Sequence, residues 1–519
     1  MTFIERRNLN PRTRVERRAE PPAYRHQVTP AVDPATFEQI GAVPQTPEGL
    51  VPQFVERARA AADAWAQASW DERTRVLGRL RSLLAQRADE VATVITRNMG
   101  KPRFEAYLYD VAMVLDCLDD YIHHGEQYLA DEKVPLPPAM EKHKQAFVRY
   151  APRGVVAVIS PWNFPFDLAM GPTIAALAAG NAVLQKPTSA APMVGDAIER
   201  LFAEALQGWP GLVQVLHGPG RLGTVLATAE GVDFVVFTGS TAVGRKLQED
   251  LAPLLRPSLL ELGGSDPLIV CADANLERAA RAAVYGRFSN AGQVCAAVKR
   301  VYCHETVLHS FVEKVVAHVG QLRLGPGLDP AVDVGPLAND RAISTLRALL
   351  HDALDKGAKL VAGGFPAIQA GWYWQPTVIT HVDHSMRIMK EETFGPLLPI
   401  CAVKDDEEAI ELANDNPYGL DAYVFTNDMR RANRIANRLK AGSVDINDVM
   451  VNYVIRDLPF GGVKQSGQNR YHGRTGIRLF TDPKGMVIDD GTRDTEREWF
   501  PYDAAKLEEV RNRLDASRP

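Results

Sequence analysis

The stretch Val155-Val156-Ala157-Val158-Ile159-Ser160-Pro161-Trp162-Asn163-Phe164-Pro165 decides how the rest of the chain is read. Its first five residues are all apolar and mostly β-branched, the pattern of a short strand buried on both faces. Ser160 and Pro161 end the run, and a turn carries Asn163. Downstream, helical spacing covers Ala169 to Ala179, and Ala182-Val183-Leu184 is the next strand. A helix from Met193 to Leu206, a strand Val213 to Leu216 and a helix Leu222 to Ala229 follow. Phe234-Val235-Val236-Phe237 is a strand that runs through Thr238-Gly239-Ser240 into another helix. Strands alternating with helices predict a parallel sheet covered on both faces, with ligands at the carboxyl ends of its strands.

After Gly264 the alternation starts again. Leu268 to Val270, Val301 to Cys303, Ala402-Val403, Tyr423 to Phe425 and Ser443 to Ile446 read as strands. Helices are expected over Leu276–Phe288, Phe311–Leu322, Arg341–Asp355, Glu407–Asn414 and Met429–Leu439. The fold class is therefore α/β, with two parallel-sheet regions. Upstream of Val155 a helix begins near Val51, and Ser69-Trp70-Asp71-Glu72 is a capping box opening the next. One helix is expected from Phe104 to Tyr128. Residues 133–152 read as extended, because the Pro135, Pro137 and Pro138 cluster opposes helix and the following alternation suits an exposed strand.

The chain has 519 residues, 46% hydrophobic and 24% charged, with a formal net charge of -5. Neither sign dominates, so a nucleic-acid groove or an anionic membrane surface is not indicated. No apolar run reaches the ~18 residues of a membrane helix. The Arg-rich start (Arg6, Arg7, Arg12, Arg14, Arg17, Arg18) also carries Glu5, Glu16 and Glu20 and lacks an apolar core, so it reads as a solvated arm rather than a signal. The cytoplasm is the expected location. Five cysteines at wide, irregular spacing form no CxxC or zinc pattern, and reduced thiols are expected. His381 and His384 lack a third partner at metal-ligand spacing, so no metal is expected.

Three polar residues stand among small or glycine neighbours. Cys295 lies in Asn290-Ala291-Gly292-Gln293-Val294-Cys295-Ala296-Ala297, Glu261 in Leu260-Glu261-Leu262-Gly263-Gly264, and Asn163 in the opening stretch. A thiol, a carboxylate and a side-chain amide are the nucleophile, base and oxyanion donor that thioester chemistry needs. Each has a plainer reading: a small buried thiol, a structural carboxylate, a turn asparagine. For Cys117, Cys271, Cys303 and Cys401 the plainer reading is kept. The two glycines after Glu261 argue that another group approaches closely there.

Taken together, the motifs resemble the aldehyde dehydrogenase superfamily. They are Ser160-Pro161-Trp162-Asn163-Phe164-Pro165, Leu184-Gln185-Lys186-Pro187, Phe237 to Gly244, Leu260 to Gly264, Gly292 to Cys295, Glu391 to Pro396, and Pro459 to Gly467. They run in family order over roughly residues 50–485. The resemblance implies two Rossmann-like domains plus a small β oligomerisation element. It assigns 1–50 to an arm, 51–132 with 153–263 to a cofactor-binding domain and 264–463 to a catalytic domain. Residues 133–152 with 464–495 would form the oligomerisation element, and 496–519 a tail. It also implies NAD- or NADP-dependent oxidation of an aldehyde to an acid through Cys295, with Asn163 as oxyanion donor and Glu261 as general base. A homodimer or homotetramer is expected. The alternatives are a coenzyme-A-acylating member, which Glu261 disfavours, and a non-catalytic member.

For the cofactor, the resemblance points to Lys186, Ser189, Gly239, Ser240, Glu392, Phe394 and Trp162. Gly239 to Gly244 follows a strand and opens a helix, which suits a pyrophosphate. Ser189 departs from the glutamate of many NAD-preferring members. A serine does not repel a 2′-phosphate, so NADP is expected to be accepted. Phe164, Phe166 and Phe460 are expected to line an apolar tunnel whose mouth is reached by Tyr453 to Asp457. Arg456 there is a candidate for binding a substrate carboxylate, with a surface arginine as the alternative. Parts of the sequence resemble the succinate-semialdehyde group, and Tyr471-His472-Gly473 resembles fatty and aromatic aldehyde members.

Overall fold

The computed structural model describes residues 27–367 and 370–516. The Arg-rich stretch expected as an arm lies outside them. Strands β1 (Val28–Val32) and β2 (Gln39–Pro44) form an antiparallel hairpin, so part of the expected arm is regular structure. Glu132–Val134 (β3) and Lys144–Pro152 (β4) pair antiparallel. Between them Pro138–Glu141 makes one helical turn that the proline cluster had argued against. Pro138 stands at the start of that turn, where a missing N–H costs nothing.

The first parallel sheet holds β5 (Val155–Ile159), β6 (Ala182–Lys186), β7 (Val213–Val215), β8 (Phe234–Thr238) and β9 (Ser258–Glu261). Its order is β9-β8-β5-β6-β7, with Gly467–Gln468 added antiparallel to β9. Val155 to Val158 are fully buried, as the apolar run requires. The second sheet holds β10 (Asp266–Val270), β11 (Val298–His304), β12 (Lys359–Ala362), β13 (Thr377–Thr380), β14 (Leu397–Val403), β15 (Asp421–Phe425) and β16 (Ser443–Ile446). Its order is β12-β13-β14-β11-β10-β15-β16, parallel except for the edge strand β12. Both sheets alternate with helices along the chain, which places the chain in the α/β class.

The described chain separates into two compact units. One holds the described residues up to Tyr128 together with Pro152–Thr481, and so contains both large sheets. The other holds Leu129–Ala151 and the described residues from Asp482 on, including a three-stranded sheet ordered β18-β4-β3, where β18 is Thr481–Asp489. The expected oligomerisation element began at 464. In the structure Lys464–Thr481 belongs with the first unit, because Gly467–Gln468 is drawn into the first sheet beside Glu261.

The expected helix from Phe104 to Tyr128 is continuous in direction but not in winding. Ala106–Ala112 is π-helical, flanked by Arg103–Glu105 and Met113–Leu129. Such segments insert one residue and recur at functional sites. This one carries Asp110, whose Oδ2 accepts from Lys101 at 2.8 Å with both side chains fully buried. Asp110 Oδ1 accepts from the amides of Phe166 and Asp167 at 3.1 and 3.2 Å, where the helix Asp167–Ala178 starts. A carboxylate at a helix N-terminus is favoured by the axial dipole. Lys101 Nζ also lies 3.9 Å from the centre of the Phe164 ring. The turn bearing Asn163 is thus held by a buried ion pair whose members come from a distant segment. Breaking one member of such a pair costs ~3–5 kcal/mol, because a buried charge is left without a partner. Lys101→Met is expected to lower unfolding stability by that amount, and Lys101→Met with Asp110→Asn by clearly less, as read by urea titration.

Candidate active site

Cys295 follows the helix Leu276–Phe288 and a short turn, Ser289–Gly292. Three successive residues there, Asn290, Ala291 and Gly292, have φ of 48, 53 and 75°. Asparagine and glycine tolerate this left-handed region; alanine does not, at ~1–2 kcal/mol. The turn persists because its polar groups are met from outside. Glu105 accepts from the Asn290 amide at 2.9 Å and from Ser289 Oγ at 3.0 Å. Arg287, fully buried, donates to the carbonyls of Gly292, Thr393 and Gly395 through Nη2. Gln293 donates to the Asn290 carbonyl and accepts from the Ala338 amide. Burial pushes Glu105 up to about 7, against the pull of the Asn290 amide and Lys101.

Asn163 reaches this loop directly. Its Nδ2 donates to the Gln293 carbonyl at 3.1 Å, and its own carbonyl accepts from Asn290 Nδ2 at 3.0 Å. An amide nitrogen carries two hydrogens, so one fixes the side chain and the other remains to donate. Glu261 ends β9 and is buried, with Oε1 hydrogen-bonded to no described residue. Burial raises it well above the usual carboxylate range; Arg470 opposes this and Asp421 adds to it. Gly461, at φ 150°, makes room: a Cβ there would stand 2.5 Å from Glu261 Oε1. The glycines after Glu261 serve the close approach their sequence suggested. A Cβ on Gly263 would meet Glu392 Oε2 at 2.3 Å, and one on Gly264 would meet the Cys295 carbonyl at 2.5 Å.

Cys295 itself is half-buried, while Cys117, Cys271, Cys303 and Cys401 are buried free thiols. Burial pushes the Cys295 thiol up to about 12; Lys299 pulls it down, and Asp266, Glu261 and Glu392 push it further. The charges of Glu261 and Cys295 both bear on Tyr471, which puts the two groups around one phenol.

The cofactor residues cluster on the same side. Trp162 and Phe394 meet edge to face at 5.5 Å. Glu392 Oε1 accepts from the Gly264 amide at 3.1 Å and from Lys299 Nζ at 3.4 Å. Ser240 caps the helix Thr241–Leu251 through the Val243 amide, and the Gly239 amide donates to the Glu261 carbonyl. Lys186 ends β6, beside Ile159 of β5, and is buried. Its Nζ is hydrogen-bonded to no described residue, and burial pushes it down to about 8. Ser189 is half-buried three residues on. A buried ammonium and a capped helix N-terminus, each at the end of a strand of the same sheet, fit an anionic dinucleotide.

The substrate residues divide. Phe164 is half-buried beside Lys101 and Tyr109. Phe460 is packed in an aromatic group with Tyr453, Tyr471 and His472. Phe166, expected to line the tunnel, has no exposed surface; it precedes the largely buried helix Asp167–Ala178. Arg456, expected as a candidate carboxylate anchor, is mostly buried. Its guanidinium is turned inward to the Met113 carbonyl, His472 Nε2 and the buried carboxylate of Asp167. Tyr453 donates to the other oxygen of Asp167.

Residues 23–486 match the profile described as the aldehyde dehydrogenase family. The chain belongs to that family. It is 40% identical over 485 residues to the 4,4′-diapolycopene aldehyde oxidase of a Methylomonas species, covering 93% of this chain and 90% of that one. It is 34% identical to the NADP-dependent succinate-semialdehyde dehydrogenase of Escherichia coli K12, covering 88% and 93%. The structure of an aldehyde dehydrogenase from Bacillus cereus in complex with NAD superimposes with a TM-score of 0.85 at 32% identity, covering 89% and 93%. This aldehyde dehydrogenase oxidises aldehydes to acids with NAD or NADP. Among its described residues no helix is long and apolar enough to cross a membrane.

Lys101, Glu105, Asp110, Arg287 and Lys299 were not singled out from the sequence. Arg287 ends a helix, and a basic last turn is too common to be a signal. Below its raised pKa the thiolate fraction grows ~tenfold per pH unit. In the cofactor-free protein, alkylation of Cys295 by iodoacetamide is expected to rise that steeply from pH 7 to pH 9, as followed by peptide mass.

Proposed function

We propose that this enzyme oxidises an apolar aldehyde, with Cys295 as nucleophile, Asn163 and the Cys295 amide as oxyanion donors, and Glu261 as base. The observation that carries the substrate class is the inward commitment of Arg456 to Asp167 and Met113. A substrate carboxylate at that place would compete with a buried internal one. The same segment shows apolar side chains to solvent: Val451, Val454, Ile455 and Leu458 are all exposed. Neighbouring exposed apolar groups mark an interaction surface. The relative whose name carries an apolar-sounding aldehyde, 4,4′-diapolycopene aldehyde, supports this reading more than the semialdehyde enzymes do.

In the proposed mechanism Cys295 adds to the aldehyde carbon. The free hydrogen of Asn163 Nδ2 donates to the oxygen that becomes negative. Bound NAD or NADP supplies the hydride acceptor. Glu261, raised by burial, then takes a proton from the water that attacks the thioester. Lys186 and the helix start at Ser240 would hold the dinucleotide, and Glu392 and Phe394 its nicotinamide end. Ser189 offers no carboxylate, so NADP is accepted at least as well as NAD; Ser189→Glu should cut efficiency with NADP ~tenfold or more through like-charge repulsion. We further propose a cytoplasmic homodimer or homotetramer, since β3 and β18 expose Val134, Val487 and Ile488. Light scattering on the purified protein tests the assembly.

Hexanal and benzaldehyde are expected to exceed succinate semialdehyde in kcat/KM; preference for the acid semialdehyde would reject the apolar reading. Asn163→Ala should lose ~100- to 1,000-fold in kcat. Glu261→Gln should release about one equivalent of reduced cofactor and then stall with an acyl group on Cys295, visible by intact mass.

A further inference from the structure

Lys299 is a buried cation that neither the nucleophile motif nor the cofactor motifs contain. It is the second residue of β11, and its side chain is 1% exposed. Its Nζ donates to the Cys295 carbonyl and to Glu392 Oε1, and lies 5.9 Å from the centre of the Phe394 ring. Glu392 also accepts from the Gly264 amide, and Gly264 lies against that same Cys295 carbonyl. The four groups form a closed arrangement: Lys299, the Cys295 carbonyl, Gly264 and Glu392. A long, flexible ammonium side chain is immobilised at an entropic cost. A buried ammonium is retained only when paired, and both its partners belong to the reaction centre.

We propose that Lys299 is a positioning residue that couples the nucleophile loop to the cofactor-side carboxylate and supplies the positive charge facing the Cys295 sulfur. This rests on the roles proposed above for Cys295 and Glu392. The charged and titratable groups that face Cys295 are Lys299, Asp266, Glu261 and Glu392, together with the phenols of Tyr423 and Tyr471. Lys299 is the cation of that set, so it opposes three carboxyl groups. Removing it should make Cys295 a poorer nucleophile and loosen Glu392 at once. A merely structural lysine would change neither in a folded variant.

The test compares wild type with Lys299→Met, Lys299→Gln and Lys299→Arg, each checked for folding by circular dichroism. The first readout is alkylation of Cys295 by iodoacetamide at pH 8 without aldehyde or cofactor, followed by peptide mass. An opposite charge at close range is worth ~1–3 pKa units. The two neutral variants are therefore expected to react at least ~tenfold more slowly, with Lys299→Arg restoring most of the rate. The second readout is the KM for NADP with hexanal, expected to rise severalfold in the neutral variants. Wild-type alkylation rates in folded Lys299→Met or Lys299→Gln would overturn the proposal, as would an arginine variant as slow as methionine. Should both neutral variants fail to fold, Lys299→Met is combined with Glu392→Gln, which removes the buried pair as a unit, and is compared with Glu392→Gln alone: slower alkylation in the double variant supports the proposal and an equal rate overturns it. Alkylation needs neither substrate nor cofactor, so its outcome is separable from any failure of the oxidation reading, which Cys295→Ala tests by itself.

Discussion

A chain that turns left-handed for three residues in succession, just ahead of the proposed nucleophile Cys295, must be held there by its surroundings. Asn290, Ala291 and Gly292 carry that strain. Glu105 meets the amide and hydroxyl on one side, Arg287 gathers three carbonyls on the other, and Asn163 closes on the Gln293 carbonyl. Strain of this kind persists only where neighbouring groups over-determine the conformation. Here they come from the π-helical region, the helix before the turn, the loop at Thr393–Gly395 and the turn after β5. The loop therefore requires both large sheets to be in place before Cys295 has its geometry.

The same requirement explains the buried charges. Asp110 and Lys101 lie in no recognisable motif, yet they fix the amides of Phe166 and Asp167 and so the turn that presents Asn163. Glu261 is left with an oxygen that no described residue satisfies, which stability alone would disfavour. The role proposed for Glu261, taking a proton in deacylation, gives that unpartnered oxygen a use. The thiol is raised by the same burial. In the mechanism proposed above, the burial that raises the base Glu261 also raises the Cys295 thiol, and Lys299 is the cation that pulls the thiol down.

Most of the strands and helices were legible because their signals are local. The apolar run at Val155, the capping box at Ser69 and the helix Leu276–Phe288 all stand where the pattern puts them. The exceptions are instructive. Pro138 begins a helical turn because a first-position proline sacrifices no hydrogen bond. Ala106–Ala112 winds as a π-helix, a local change of winding that apolar periodicity does not encode. Lys464–Thr481 joins the first unit through a two-residue strand too short to read. Phe166 and Arg456 were placed by motif proximity, but side-chain direction sends one into the core and the other to Asp167.

The sequence by itself determined the α/β class and the family, and it singled out the thiol, carboxylate and amide proposed to work together. Those follow from hydrophobic period and from motifs in which close approach permits only glycine or small residues. Only the tertiary structure decided what those groups experience. Burial, the partner of Arg456, the orphaned oxygen of Glu261 and the pairing of Lys299 with Glu392 all arise between segments distant in the chain. No local pattern records them, because pKa and side-chain direction depend on the neighbours that folding brings together.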